Sequence, residues 1–199
     1  DLTPTDGKTR MYHNFINGST HRTMGVGFPY EHNIAFSTRD CQPDLIWKGR
    51  FINAGKHWTG RGQGAQDPLS NDVVKLGQGV AWSKDGKELK LKLVGYTMDK
   101  TGNPTFNYKA PDLGISFSEQ YIPSEDNLMR SITVVSDSDQ ELKLRLAKAN
   151  PIMSEQGATI DKKLIIDTTK MLSQRGELHS ILNIKKGTNT FKVIYSWKK

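Results

Sequence analysis

Cysteine is almost missing from this sequence, with Cys41 the single thiol among 199 residues. One thiol cannot close an internal disulfide or build a multi-thiolate metal site, and the chain has no C-x-x-C-H with which to attach a c-type haem. No covalently bound cofactor is therefore expected. Long apolar runs are missing as well: no window approaches the roughly 18 consecutive apolar residues that a membrane-crossing helix requires. His13, His21, His32, His57 and His179 never fall at H-x-x-x-H or H-E-x-x-H spacing, so the common helix-borne zinc motifs are excluded. Neither a G-x-x-x-x-G-K-[ST] phosphate loop nor a G-x-S-x-G nucleophile elbow occurs.

What the chain does have is an excess of positive charge. Twenty-eight basic residues against 21 acidic ones leave a formal charge of +7, a balance that would suit an anionic partner. Its distribution argues against nucleic acid. Lysines alternate with apolar residues in "KELKLKLVGY", "ELKLRLAKA" and "LNIKKGTNTFKVIYSWKK", the pattern of solvated strand faces rather than of a concentrated basic stripe. The apolar fraction of 35% is low, yet no segment has the bias of a disordered region.

Alternating runs separated by turn signals dominate the chain, and they place strands at 33–38, 45–53, 80–83, 88–96, 105–109, 115–122, 128–136, 141–147, 163–167, 179–184 and 190–197. "KDGK" at 84–87 and "DKTGNP" at 99–104 supply the Asp, Asn and Gly of tight hairpins. The expected fold is all-β, a large antiparallel sandwich of two facing sheets spanning 1–199. One brief helix is expected around 167–177, and a long loop region over 51–79. The chain starts at Asp1 without a methionine or signal-like segment, which suggests a processed chain or a piece of a longer polypeptide or complex.

The candidate site residues centre on that loop. In "HWTGRGQG", Trp58 can stack on the apolar face of a sugar while Arg61 anchors polar groups, with His57 beside them and glycines letting the backbone fold back. The alternative is a buried indole pinning the loop to the sandwich. Glu119 lies in "ISFSEQYI", where alternation puts Phe117, Glu119 and Tyr121 on one face; a carboxylate between aromatics is a candidate sugar contact, or else a charge at an open sheet edge. Sugar hydrolysis would need two carboxylates about 5–10 Å apart, and strand residues cannot be paired from sequence alone.

Three stretches, "HRTMGVGFPYEHNIAFSTRDCQPDLIWKGRFINAGKHWTGRGQG", "GYTMDKTGNPTFNYK" and "SEQYIPSEDNLMRSITVVSDSDQELKLRLA", resemble a region of large exported bacterial proteins that also carry a c-type cytochrome module and a sugar-dehydrogenase-like propeller. The resemblance covers about residues 10 to 150, and its most specific parts are the run from Arg22, "WKGRF" from Trp47, and "WTGRG" from Trp58. It implies a periplasmic or extracellular location and carbohydrate or a cytochrome-bearing protein as partner. It transfers no catalytic residue. The strand pattern also resembles the supersandwich of galactose-mutarotase-like domains. The expectation is a non-catalytic module that binds carbohydrate or docks a redox partner through Trp58, Arg61, His57, Arg22, Trp47 and Glu119, against the alternatives of a carbohydrate-active enzyme or a structural subunit of an envelope complex.

Overall fold

The computed structural model describes residues 1–59 and 64–199, with all side chains in that range except that of Trp58. It is an all-β sandwich built from three antiparallel sheets. The first sheet, in the order β1-β2-β3-β4-β5, comprises β1 (Arg10–Tyr12), β2 (Thr23–Gly27), β3 (His32–Ser37), β4 (Gln42–Ile52) and β5 (Pro68–Lys75). The chain then lays down β6 (Trp82–Lys84) and β7 (Lys87–Glu88), followed by β8 (Lys92–Met98), β9 (Pro104–Ala110), β10 (Ile115–Pro123) and β11 (Asn127–Ser136). It continues through β12 (Gln140–Ala147), β13 (Ile152–Ser154), β14 (Gly157–Ile160), β15 (Leu164–Asp167), β16 (Met171–Gln174), β17 (Glu177–Ile184) and β18 (Gly187–Trp197). An eight-stranded sheet runs β13-β14-β15-β18-β11-β10-β9-β8, and a third sheet runs β16-β17-β12-β6-β7.

Strand alternation decides what is buried. Along β10 the inward residues Ile115, Phe117, Glu119 and Tyr121 are buried, while Ser116, Ser118 and Gln120 face outward; successive side chains on a strand point to opposite faces. The inner face of the eight-stranded sheet packs on both smaller sheets. Phe106 stacks on Phe36 of the first sheet with ring centroids 3.8 Å apart, and Phe117 meets Trp82 of the third at 4.8 Å. Trp82 also donates its Nε1 hydrogen to the Tyr108 hydroxyl at 2.9 Å. One continuous apolar core thus joins all three sheets.

The first sheet has a second, smaller core on its other face, made by Tyr12, Ile16, Ala35, Leu45, Trp47, Phe51, Ile52 and Ala54. Glycines in β2 make this possible. A Cβ on Gly27 would come within 2.7 Å of Phe51, and one on Gly25 within 2.7 Å of Ile16, so larger residues there would displace the aromatic ring.

The sequence reading is corrected at three places. Three sheets stand where two facing ones were expected. The helix expected at 167–177 is the β16–β17 hairpin, whose turn carries Arg175 and Gly176 at φ 53° and 74°, a primed turn that holds antiparallel strands in their native twist. The region 51–79 is only partly loop. It contains the five-residue helix α1 (Gly55–Thr59) and the whole of β5.

Candidate functional site

Four consecutive residues, Tyr12–Phe15, organise the surface above the small core. Tyr12 meets the His57 ring with centroids 5.8 Å apart. The Asn14 amide nitrogen lies 3.4 Å from both ring nitrogens of His57; equal distances to both place it over the ring face, an N–H···π contact rather than an in-plane hydrogen bond. His13 packs against Tyr96 of β8 at 5.8 Å, and its Nε2 lies 3.4 Å from the tyrosine hydroxyl. Phe15, 43% exposed, meets His21 edge-on at 5.5 Å. Three of the five histidines therefore gather on one short segment, each against an aromatic ring.

The segment is fixed from below and from the side. Gln66 exchanges main-chain hydrogen bonds with it, Gln66 N–H to Phe15 O at 2.8 Å and Asn17 N–H to Gln66 O at 2.9 Å. Asn17 Nδ2 donates to Asp67 at 2.6 Å. Tyr12 and Ile16 turn inward onto the small core. His57 of α1 and Gln66 are thus both held against the Tyr12–Asn17 strip.

The expected site residues distribute as follows. His57 is half-buried on α1, and Arg22 is exposed on the loop directly after His21. Arg61, Gly60 and Gly62, like the Trp58 side chain, lie outside the described residues. Gly64 has φ +67° and open space around its Cβ position, so at that glycine a left-handed turn is required. Trp47 is corrected from contact to scaffold. It is fully enclosed, lies nearly parallel to Phe51 with centroids 5.8 Å apart and donates Nε1–H to Arg50 O at 3.1 Å.

Glu119 is corrected as well, since it is neither at an edge nor on a surface. It is fully buried at the centre of the eight-stranded sheet, where Arg130 grips it through Nε at 2.7 Å and Nη2 at 2.9 Å. Tyr121 donates to the same carboxylate at 2.9 Å, and Tyr108 donates to it too. Burial opposes the charge on Arg130, but the carboxylate beside it holds its value well above the ordinary one. Every oxygen of Glu119 is satisfied within the protein, so its role is structural.

A second polar network ties the first sheet to the segment between β5 and β6. Asp44, 1% exposed, accepts from Ser19 Oγ at 2.8 Å and from Gln42 Nε2 at 3.4 Å. Burial raises its value from 3.8 to about 6, with Asp40 nearby adding to the effect. Asp40 is itself held below its ordinary value; burial opposes ionisation there, but Arg39 at 2.7 Å and the Gly79 N–H at 2.9 Å outweigh it. Both carboxylates are closed in by protein. Among the described residues no group of three or more His, Cys, Asp or Glu is placed to hold a metal ion, and no helix is long and apolar enough to cross a membrane.

No family model matches the chain, and no curated protein does either. Solved structures with a similar arrangement include a protein described as a kojibiose phosphorylase from the human microbiome, at 11% identity and a TM-score of 0.44, covering 97% of this chain and 29% of that one. Heparan sulfate lyase HepC from Pedobacter heparinus is similar at 10% identity and a TM-score of 0.42, covering 97% of this chain and 35% of that one. The chain spans about a third of the length of these structures. At such identities, function has to be argued from this chain's own residues.

Proposed function

We propose that the chain is a non-catalytic carbohydrate-binding module, and that its binding surface is the Tyr12–Phe15 strip with His57 and Tyr96. The observation that carries this reading is the set of ring–imidazole pairs on that strip. Phe15 at 43% and Tyr96 at 36% exposure offer flat apolar faces of the kind that stack on a sugar ring, while His13, Asn14, His21 and Arg22 supply donors and acceptors at their edges. The small core beneath holds the strip rigid, which lowers the entropy lost on binding. Docking of a cytochrome-bearing partner and an exported location rest on the sequence resemblance alone.

The experiment is titration of the protein with neutral oligosaccharides, read by NMR on the histidine ring resonances. Binding should perturb His13, His21 and His57 together, and Phe15→Ala or Tyr96→Ala should weaken it by roughly 1–2 kcal/mol without altering the melting temperature. Trp58→Ala and Arg61→Ala test the two remaining sequence candidates. Perturbation confined to residues remote from the strip, or full affinity in the Phe15→Ala Tyr96→Ala double variant, would rule out this surface.

A further inference from the structure

The outer face of the third sheet carries a cationic cleft separate from the surface above. Register sets Arg145 of β12 directly opposite His179 of β17, and Lys143, on the same face, opposite Ser83 of β6. The tips of the β6–β7 and β16–β17 hairpins flank this floor, the second bringing Arg175 to its rim. With Glu88 and Glu177 these side chains line a cleft of about 290 Å³.

Arg145 is the anomaly. It is 8% exposed, and its guanidinium donates only to main-chain carbonyls: Nη2 to Gln78 and Gly79 at 3.0 Å each, and Nη1 to Val80 at 3.3 Å. Among the described residues it forms no ion pair. Carbonyl dipoles solvate the cation, and Glu177, Glu88, Asp44 and Asp40 favour its charge without touching it, whereas buried charges in proteins are ordinarily paired in direct contact. The neighbouring carboxylate of Glu177 is engaged elsewhere, on His179 Nε2 at 2.8 Å. Nδ1 of His179 is buried and has no hydrogen-bond partner among the described residues. Burial lowers the values of both Arg145 and His179, and on His179 the positive charges of Lys143 and Arg145 act in the same direction against the pull of Glu177. The lining thus sets three permanent cations, Lys143, Arg145 and Arg175, against the carboxylates of Glu88 and Glu177, one positive charge in excess, with Glu177 already engaged by His179.

We propose that this cleft binds a compact oxyanion, the phosphate, sulfate or carboxylate group of a ligand, on the free guanidinium hydrogens of Arg145, with Lys143 and Arg175 closing over it. Charge-assisted contacts of this kind are short and strong; with Nη2 engaged by Gln78 and Gly79, Arg145 offers single hydrogens on Nε and Nη1. Gln78, Gly79 and Val80 hold Arg145 in place, so the cation is positioned before any ligand arrives.

The test uses the whole chain and four separate probes: inorganic phosphate, sulfate, glucuronate, and glucose as the uncharged control. His179 ring resonances and the melting temperature are followed during each titration. At least one anion should give a saturable shift with a dissociation constant on the order of 1 mM, and its binding should raise the pH at which His179 titrates. Lys143→Gln and Arg175→Gln, neither of which anchors the fold, should each weaken binding roughly tenfold, as expected for loss of one charge-assisted contact. The anion that binds tightest names the group. Absence of a saturable response to all three anions would overturn the proposal, as would an equal loss in Lys92→Gln on the eight-stranded sheet, which would mean that net charge alone is responsible. Inorganic phosphate and sulfate present no sugar face to the Tyr12–Phe15 strip, and His179 is not part of that strip, so their outcome is independent of the carbohydrate reading.

Discussion

His32 and Asp44 should titrate against each other, and removing either should expose the slope that the other hides. His32, 1% exposed, donates Nε2–H to Ser124 O at 2.9 Å, and burial, with Lys48 opposite, pulls it from 6.5 down to about 4. Below pH 6.5 the unfolded chain takes up a proton there that the folded chain refuses, so its contribution is lost as pH falls from 6.5 towards 4. Asp44 behaves in the opposite sense. Its folded value of about 6 lies above its ordinary 3.8, so between those limits the folded chain binds the extra proton and gains stability as pH falls. Each displacement corresponds to an upper bound of about 3 kcal/mol, and solvent screening near the sheet ends should leave ~2 kcal/mol for each by pH 4.5. In the unmodified protein the two terms largely offset. Urea denaturation followed by tryptophan fluorescence, repeated between pH 7.5 and 4.5, reads both. His32→Gln, which keeps a donor for Ser124, should become relatively more stable towards pH 4.5, and Asp44→Asn relatively less stable, each by ~2 kcal/mol against the unmodified chain. His179 is present in all three proteins and cancels in the differences. Parallel curves for the three proteins would refute the reasoning.

Other perturbations read the packing. Glu119→Gln and Arg130→Met should each cost about 3–5 kcal/mol, because each strands a charge in the core, while the double variant should cost far less than their sum; a double-mutant cycle by urea denaturation measures this. Trp47→Ala should cost about 3–5 kcal/mol by opening the small core, and should also weaken sugar binding through loss of the strip's support, as calorimetry beside titration would show. Gly27→Ala should cost roughly 1–3 kcal/mol through collision with Phe51, and Phe51→Leu should relieve part of that cost in thermal melts.

The strands that could be read from the sequence were those in which one face is apolar and the other polar. β10, β11, β12 and β17 alternate cleanly, and each appears within a few residues of its expected bounds. The strands that escaped lack that contrast. β2 is "TMGVG", its glycines dictated by Phe51 from another strand, and β14 is "GATI", buried on both faces. β16 hid behind Arg175, a residue not usually found at positive φ, so its turn read as the break in a helix. The number of sheets depends on which strands pair, and pairing is long-range. Alternation placed Glu119 on the apolar face correctly, and the same parity places Arg130 inward between Leu128 and Ile132. An arginine on an apolar strand face announces a buried partner, which was the signal available for the ion pair. At the candidate surface the local cue was "YHNF", whose adjacent aromatic and imidazole groups lie outside any strong strand pattern; that Tyr96 and His21 fold onto it was not visible locally.

The paired charges of Glu119 and Arg130 also have a consequence for how the chain finds its fold. β10 and β11 pair over nine positions between Ile115↔Ser136 and Pro123↔Leu128, and both strands carry Ser and β-branched residues that would tolerate sliding past one another. A slip of one residue turns a whole strand over, sending Glu119 to solvent while Arg130 stays inside without its carboxylate, an arrangement several kcal/mol uphill. Two neighbouring hydrophobic pairs would distinguish the correct alignment from its neighbours only weakly. The two charges act as a key cut for one alignment, penalising errors more than they reward the correct state, and sequences that replace them with apolar residues should fold to a comparably stable sheet with less fidelity in its assembly.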